Sequence, residues 1–308
     1  MKTSTIYSLI FGALLLTGLG ACKKLADSKG SGDGNGNGNT GPQNPYTNPK
    51  TATAVCDYNT SDTAYTNHGW TKTFDEEFSS DLSNWYALKG GMIKESECYE
   101  PANVTVSGGA MQISAKQENV TGPKTVGNDT TVNFNYTSGW VYSKQKFVAN
   151  STTSKVRIVA RIKMASGYGL TNLFWSFGDG DWPTGGEIDF AETQGDNTKV
   201  YATDYSYGSI ANDNFVSGGL LYNPTTEDLT ACYHVYVMEW TKNSLNSYLD
   251  GKLVETKTGG GHIADLFNRP QTLAFSLPIG GLYYSKLNTA NIQGGTMSVD
   301  YVKVFTSN

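Results

Sequence analysis

The sequence predicts an all-β protein, a β-sandwich jelly roll of two antiparallel sheets with one sheet curved into a concave substrate cleft. Short strand-like runs recur between turn signals at 105–109, 149–150, 249–252 and 259–261. The chain carries 19 Tyr, 12 Phe and 6 Trp, which suit both a two-sheet core and an aromatic-lined groove. Helical periodicity is confined to the N-terminal apolar segment, with one short turn expected at 263–267.

Taken in order, residues 1–22 read as a targeting segment. Lys2 precedes an apolar stretch over 6–16, too short for a typical membrane-spanning helix. Leu19-Gly20-Ala21-Cys22 resembles a bacterial lipobox, which makes Cys22 the lipidated N-terminus of an extracytoplasmic protein anchored to an outer membrane or cell surface. The alternative is a plain secretory signal with an incidental cysteine. Residues 23–52 are rich in Gly, Asn, Ser and Pro and cannot bury enough apolar surface to order themselves, so they read as a tether. As a flexible coil it spans roughly 30 Å.

Residues 53–308 form the globular domain, long enough for one large all-β core. The run 155–164 alternates charged and apolar residues, as a strand with one wet face does. The run 233–240 is more apolar, as in a central strand. The formal net charge of −5, without a basic patch, argues against a nucleic-acid partner. The three histidines, His68, His234 and His262, show no H-E-x-x-H spacing, and no G-x-S-x-G elbow or phosphate-cradling glycine motif occurs. After Cys22, three cysteines remain, Cys56, Cys98 and Cys232; they read as structural, and one disulfide among them leaves one thiol over.

The chemistry concentrates in Gly185-Gly186-Glu187-Ile188-Asp189-Phe190-Ala191-Glu192. In an extended strand Glu187 and Asp189 share a face, whereas Glu192 falls on the other. One extra residue, a β-bulge near Phe190–Ala191, returns Glu192 to the same face. Apolar Ile188 and Phe190 mark a strand with one buried side, against the blander readings of an acidic edge strand or a calcium loop. Like charges so close raise one another's pKa, a cost tolerated mainly where chemistry uses it. Two carboxylates on one surface suit glycoside hydrolysis, which in its retaining form sets them about 5–5.5 Å apart. Glu187 then serves as nucleophile, Glu192 as acid and later base, and Asp189 as support for Glu187.

Glu187–Glu192 resembles the bulged E-x-D-x-x-E signature of glycoside hydrolase family 16, as found in laminarinases, agarases and carrageenases. Flanking segments resemble the same family in the expected order. They include Phe74-Asp75-Glu76-Glu77-Phe78 with Leu82 and Trp85, Ser138-Gly139-Trp140, Leu173-Phe174-Trp175, Trp182-Pro183, Met238-Glu239-Trp240-Thr241 and Asp300-Tyr301-Val302. The resemblance implies a retaining, endo-acting hydrolase of a β-1,3- or mixed β-1,3/1,4-glucan, with a polysaccharide as partner and no cofactor for catalysis. Marine galactans of the agar, porphyran or carrageenan type are the alternative substrate, and a non-catalytic glycan-capture lipoprotein the alternative class. A monomer is expected.

By the same resemblance Trp182 lies at the cleft floor, and Trp175 and Trp140 are candidate sugar contacts, with core packing the competing reading for Trp175. Trp140 departs from the arginine common after that Ser-Gly. Two further departures, at 204–208 and 276–281, fall where sugar specificity is set. The resemblance also implies a structural Ca2+ on the convex side, held by Glu77, the Gly109 carbonyl and Asp300, away from the cleft. The competing reading is that Asp300 caps a strand or pairs with a nearby lysine.

Overall fold

The computed structural model describes residues 57–211, 213–217, 221–258 and 262–308. The targeting segment with Cys22, the tether, Cys56 and the turn at 259–261 lie outside them. The regular secondary structure described is almost entirely strand, in two sheets, as the sequence predicts.

The sheet that bears the acids has eight strands. Its order runs Asp213–Ser217, Val200–Ile210, Glu187–Gln194, Thr171–Gly178, Gln271–Ser276, Trp140–Phe147 and Trp85–Ala87, with Leu221–Pro224 also on the edge of Val200–Ile210. The opposite sheet has eleven, with Lys155–Lys163 paired between His234–Thr241 and Gly295–Ser307. Pairing is antiparallel except where Cys98–Tyr99 runs parallel to Thr131–Ser138. The turn expected at 263–267 is the short helix Ile263–Leu266; a second one-turn helix, Thr63–Thr66, has no counterpart in the sequence reading.

The core fills the space between the sheets. Ile158, Ile162, Met238 and Val302 from one sheet join Phe174, Ile188, Leu273 and Phe275 from the other in a single buried cluster. The Phe174 ring stacks on Phe275 with centroids 4.7 Å apart, and Phe190 meets Phe174 edge-on at 4.7 Å. Such side chains stabilise the sandwich by roughly 1.5–3 kcal/mol each, and their positions fix which face of each strand is left for the cleft.

The wet face expected for the 155–164 run is largely covered, with Lys155 left exposed. Segment 57–70 covers it, with Tyr65 against Phe305 at 4.7 Å. Arg157 lies over the Trp70 ring at 4.4 Å and pairs with Glu239. Arg161, 8% exposed, binds Asp300 at 2.8 Å as well as Asp57. The alternation was real, but the arginines lay their stems on aromatic surface and are held by acids rather than by water.

The segment 74–85 is organised by buried Glu76. One carboxylate oxygen accepts the Phe78 N–H at 3.0 Å, and the other accepts from Asn84 at 2.9 Å and Trp85 at 3.3 Å. Glu77 pairs with Lys303 at 2.7 Å. The two carboxylates considered for calcium, Glu77 and Asp300, are thus each neutralised by a basic side chain, and Gly109 sits in the adjoining turn with φ +77°. A Ca2+ shared by these groups would therefore sit beside the positive charges of Lys303 and Arg161. Asp300 does pair with a base, although that base is Arg161 and not a lysine.

Cys98 is a free buried thiol whose pKa burial pushes up to about 11, and Cys232 is disulfide-bonded, its partner lying outside the described residues. Cys232 lies 3.6 Å from His234 Nε2, and His234 Nδ1 lies 2.7 Å from Asp250, a nucleophile-like line that the disulfide keeps structural.

Candidate active site

Glu187–Gln194 enters its sheet through a tight approach. Gly178 N–H donates to the Gly186 carbonyl at 2.9 Å, and Gly186 takes φ +78°. A Cβ on Gly186 would meet Leu266 at 2.4 Å, and one on Gly185 would lie 2.5 Å from the Asp179 carbonyl. Both glycines are therefore required by the path of the chain into the acid strand.

The bulge is present. Toward Thr171–Gly178 the register passes from Phe174↔Ala191 to Trp175↔Asp189, which leaves Phe190 as the extra residue. Toward Val200–Ile210 it passes from Asp189↔Asp204 to Glu192↔Ala202, so Phe190 and Ala191 face Thr203 alone. Ile188, Phe190 and Ala191 all enter the core, and Glu187, Asp189 and Glu192 share the opposite face.

Residues in lateral register share a face, so the acids can be placed in rows across the sheet. One row reads Tyr86, Tyr142, Ala274, Trp175, Asp189, Asp204. Another reads Trp140, Ser276, Leu173, Glu192, Ala202, Tyr222. The cleft face is thus aromatic on one side of the acids and polar on the other. Asp204 brings a fourth carboxyl that the sequence reading left outside the acid set. Tyr222, 54% exposed, adds an open ring beyond Glu192.

Burial is the largest cause of the carboxyls' raised pKa values. Glu187 is pushed up to about 8 by burial, then by Glu192 and Asp204, and is drawn back by a hydrogen bond from Trp182. Asp189 is held well above the carboxylate range by burial and by its three acidic neighbours, against a smaller pull from Lys257. Glu192 is pushed up to about 7 by burial, with Asp204 raising it and a hydrogen bond from Tyr283 lowering it. The cluster therefore keeps a proton near neutrality. Trp182 donates to Glu187 as Tyr283 does to Glu192, so each acid has one donor that favours its charged form.

The three tryptophans expected at the cleft occupy different positions. Trp182, 5% exposed, serves Glu187 as a hydrogen-bond donor. Trp140 and Trp175, each 6% exposed, lie 5.6 Å apart. Tyr99 meets Trp140 edge-on at 5.4 Å, and Leu88 and Phe177 close the same cluster. Little of either ring is left for a ligand. Trp240 is fully buried in the main core, as expected. Besides Asp204 and Tyr222, the sequence reading missed Tyr283, whose hydroxyl bonds Glu192. Among the described residues no group of three or more His, Cys, Asp and Glu is arranged to hold a metal ion.

Carboxyls paired on the cleft face of a two-sheet sandwich are an arrangement that glycoside hydrolysis can use. The chain belongs to glycosyl hydrolases family 16, whose model matches residues 99–303. A Niallia circulans protein named glucan endo-1,3-beta-glucosidase A1 is 26% identical over 216 residues, 66% of this chain and 30% of that protein. A Sphingobacterium multivorum protein named keratan-sulfate endo-1,4-beta-galactosidase is 25% identical over 244 residues, 77% of this chain and 54% of that protein. The chain thus spans 30% and 54% of the length of these two curated relatives. The solved endo-beta-1,3-glucanase from Pyrococcus furiosus superposes with a TM-score of 0.65 at 25% identity, covering 77% of this chain and 94% of that one.

Proposed function

We propose that the protein is an endo-acting hydrolase of a β-1,3- or mixed β-1,3/1,4-glucan, working with retention of configuration. The observation that carries this reading is the bulge that returns Glu192 to the face of Glu187 and Asp189. Glu187, as carboxylate, attacks the anomeric carbon while protonated Glu192 gives its proton to the departing glycosidic oxygen. Water then attacks the glycosyl-enzyme; Glu192 takes its proton, and the bond to Glu187 breaks. Asp189, between them on the same face, keeps the strand's charge confined to the cleft and supports Glu187.

The names of the Niallia and Pyrococcus relatives support a β-1,3-glucan. The name of the Sphingobacterium relative supports a galactan as the second reading. Asp204 weighs against a sulfated galactan, because a sulfate beside the ionised members of this acid cluster would meet repulsion of a few kcal/mol at an effective dielectric of about 20. The sequence alone supports the remainder of the proposal, a monomer anchored outside the cytoplasm through lipid on Cys22.

The test is reducing-sugar release from laminarin, lichenan, agarose, porphyran and κ-carrageenan by wild type and Glu187→Gln, with the anomer of the first product read by NMR. Release of β-anomer from laminarin by wild type, with loss of at least about 10⁴-fold in the variant, is expected. Release from a galactan alone overturns the substrate, and near-wild-type turnover by the variant overturns the site.

A further inference from the structure

Tyr283 lies in the 3-10 turn Leu282–Tyr284, 91 positions from Glu192, yet its hydroxyl donates a hydrogen bond to Glu192 Oε2. The turn is held from several directions. Gln194 Nε2, two residues beyond Glu192 on the acid strand, donates to the Tyr283 carbonyl at 3.3 Å. Tyr284 Oη bonds Asp196 Oδ1 and, at 3.3 Å, the Leu170 carbonyl. Upstream, one oxygen of fully buried Glu97 accepts the N–H of Ile279 at 2.9 Å and of Ser96 at 3.1 Å, which fixes the chain entering Gly280-Gly281. The Tyr283 hydroxyl is therefore presented to Glu192 from a braced support.

The neighbours of Glu192 in lateral register offer no substitute. The lateral neighbours of Glu192 are Leu173 and Ala202, whose side chains carry no donor, and Asp204 is an acid. Burial and the adjoining Glu192 carboxylate hold the Tyr283 phenol far above its ordinary range, so it remains a donor throughout the working pH range.

We propose that Tyr283 is a positioning residue for the acid/base step, holding Oε2 of Glu192 so that Oε1 is the oxygen that exchanges the proton. This rests on the reading of Glu192 as acid and base. In the first step the Oε1–H bond breaks as the proton moves to the glycosidic oxygen, and the carboxyl becomes a carboxylate. The charge spreads onto Oε2, where the bond from Tyr283 strengthens because its acceptor is now ionic. The interaction is thus worth more in the transition state than in the bound substrate, and its loss falls on kcat. In the second step Oε1 takes the proton of water while Tyr283 still holds Oε2.

The test is Tyr283→Phe, assayed on soluble β-glucan and on a dinitrophenyl β-glycoside whose leaving group departs without protonation. On the polymer kcat should fall about 10–100-fold with KM within about twofold, a fraction of what general acid catalysis supplies. The burst rate and kcat/KM of dinitrophenolate release, which report the first step alone, should change less than about threefold. The basic limb of kcat/KM, which reports loss of the Glu192 proton, should move to higher pH, since the lost bond favoured the charged form. Equal losses on both substrates, or an unmoved limb, overturn the proposal. Incorporation of 3,5-difluorotyrosine at 283 keeps the shape and strengthens the donor, so the limb should move to lower pH; no movement again overturns it. Glu192→Ala separates the two readings, because a variant that still cleaves the polymer well removes Glu192 as the acid whatever Tyr283 does.

Discussion

Asp204 stands directly opposite Asp189 across the antiparallel pair that joins Val200–Ile210 to Glu187–Gln194. A carboxyl against a carboxyl is an unfavourable cross-strand pair, and here it lies on the face that already carries Glu187 and Glu192. Asp204 raises the pKa of all three. Its place in the site is to keep protons on the cluster at a pH where isolated carboxyls would be bare.

Asp204→Asn is therefore expected to shift the whole pH–rate bell to lower pH. The two limbs report the macroscopic ionisations of the coupled Glu187–Glu192 pair, and both fall when a neighbouring charge is removed. A displacement of about 0.5–1 pH unit in kcat/KM on soluble glucan is the expected size for one half-buried neighbour. Limbs that stay in place would show that Asp204 is screened from the acids. The same variant should lower any discrimination against sulfated polymers, measured as the ratio of rates on porphyran and agarose.

A second consequence concerns stability. The folded-state pKa of Glu187, about 8, lies above the unfolded value near 4.3, so the native state holds its proton more tightly. The contribution of this group is fully present below about pH 4 and is lost as pH rises toward 8, at up to roughly 1.4 kcal/mol per unit. Glu187→Gln removes the burden. Its melting temperature should exceed that of wild type by several degrees at pH 8 and converge with it near pH 5, read by scanning calorimetry at both values. A variant less stable than wild type at pH 8 would mean that the carboxylate makes compensating bonds there.

The acid strand was legible because its problem was local. With Ile188 and Phe190 buried, the parity of Glu192 was wrong by one residue, and a bulge was the single local remedy; the structure has it at that place. Asp204 was legible in principle, since Tyr201 and Tyr205 enter the core and leave Asp204 and Ser206 on the cleft face. Tyr283 was not. Its bond to Glu192 spans 91 positions and is set by how a turn is braced, which no local periodicity encodes. Two-residue strands such as Gly90–Gly91 and Cys98–Tyr99 are likewise too short to show alternation. The arginine face of Lys155–Lys163 misled because a charged side chain with aromatic cover and an acid partner looks, in sequence, like a wet one.

The aromatic residues give the last expectation, because the cleft face holds two kinds. Trp140 is 6% exposed and packed among Tyr99, Trp175 and Leu88, whereas Tyr222 is 54% exposed, with Ala202 as its lateral neighbour between it and Glu192. Trp140→Ala opens a cavity in a packed cluster and should cost about 3–5 kcal/mol of stability. Tyr222→Ala removes a ring already in water and should change stability by less than about 0.5 kcal/mol. If a sugar stacks beyond Glu192, Tyr222→Ala should raise KM for soluble glucan several-fold with kcat little changed, since a remote stacking contact is made equally in ground and transition states. Denaturant midpoints and Michaelis curves of the two variants check this together. A stable Trp140→Ala with a raised KM would return that ring to the sugar, and an unchanged KM in Tyr222→Ala would end the cleft short of Tyr222.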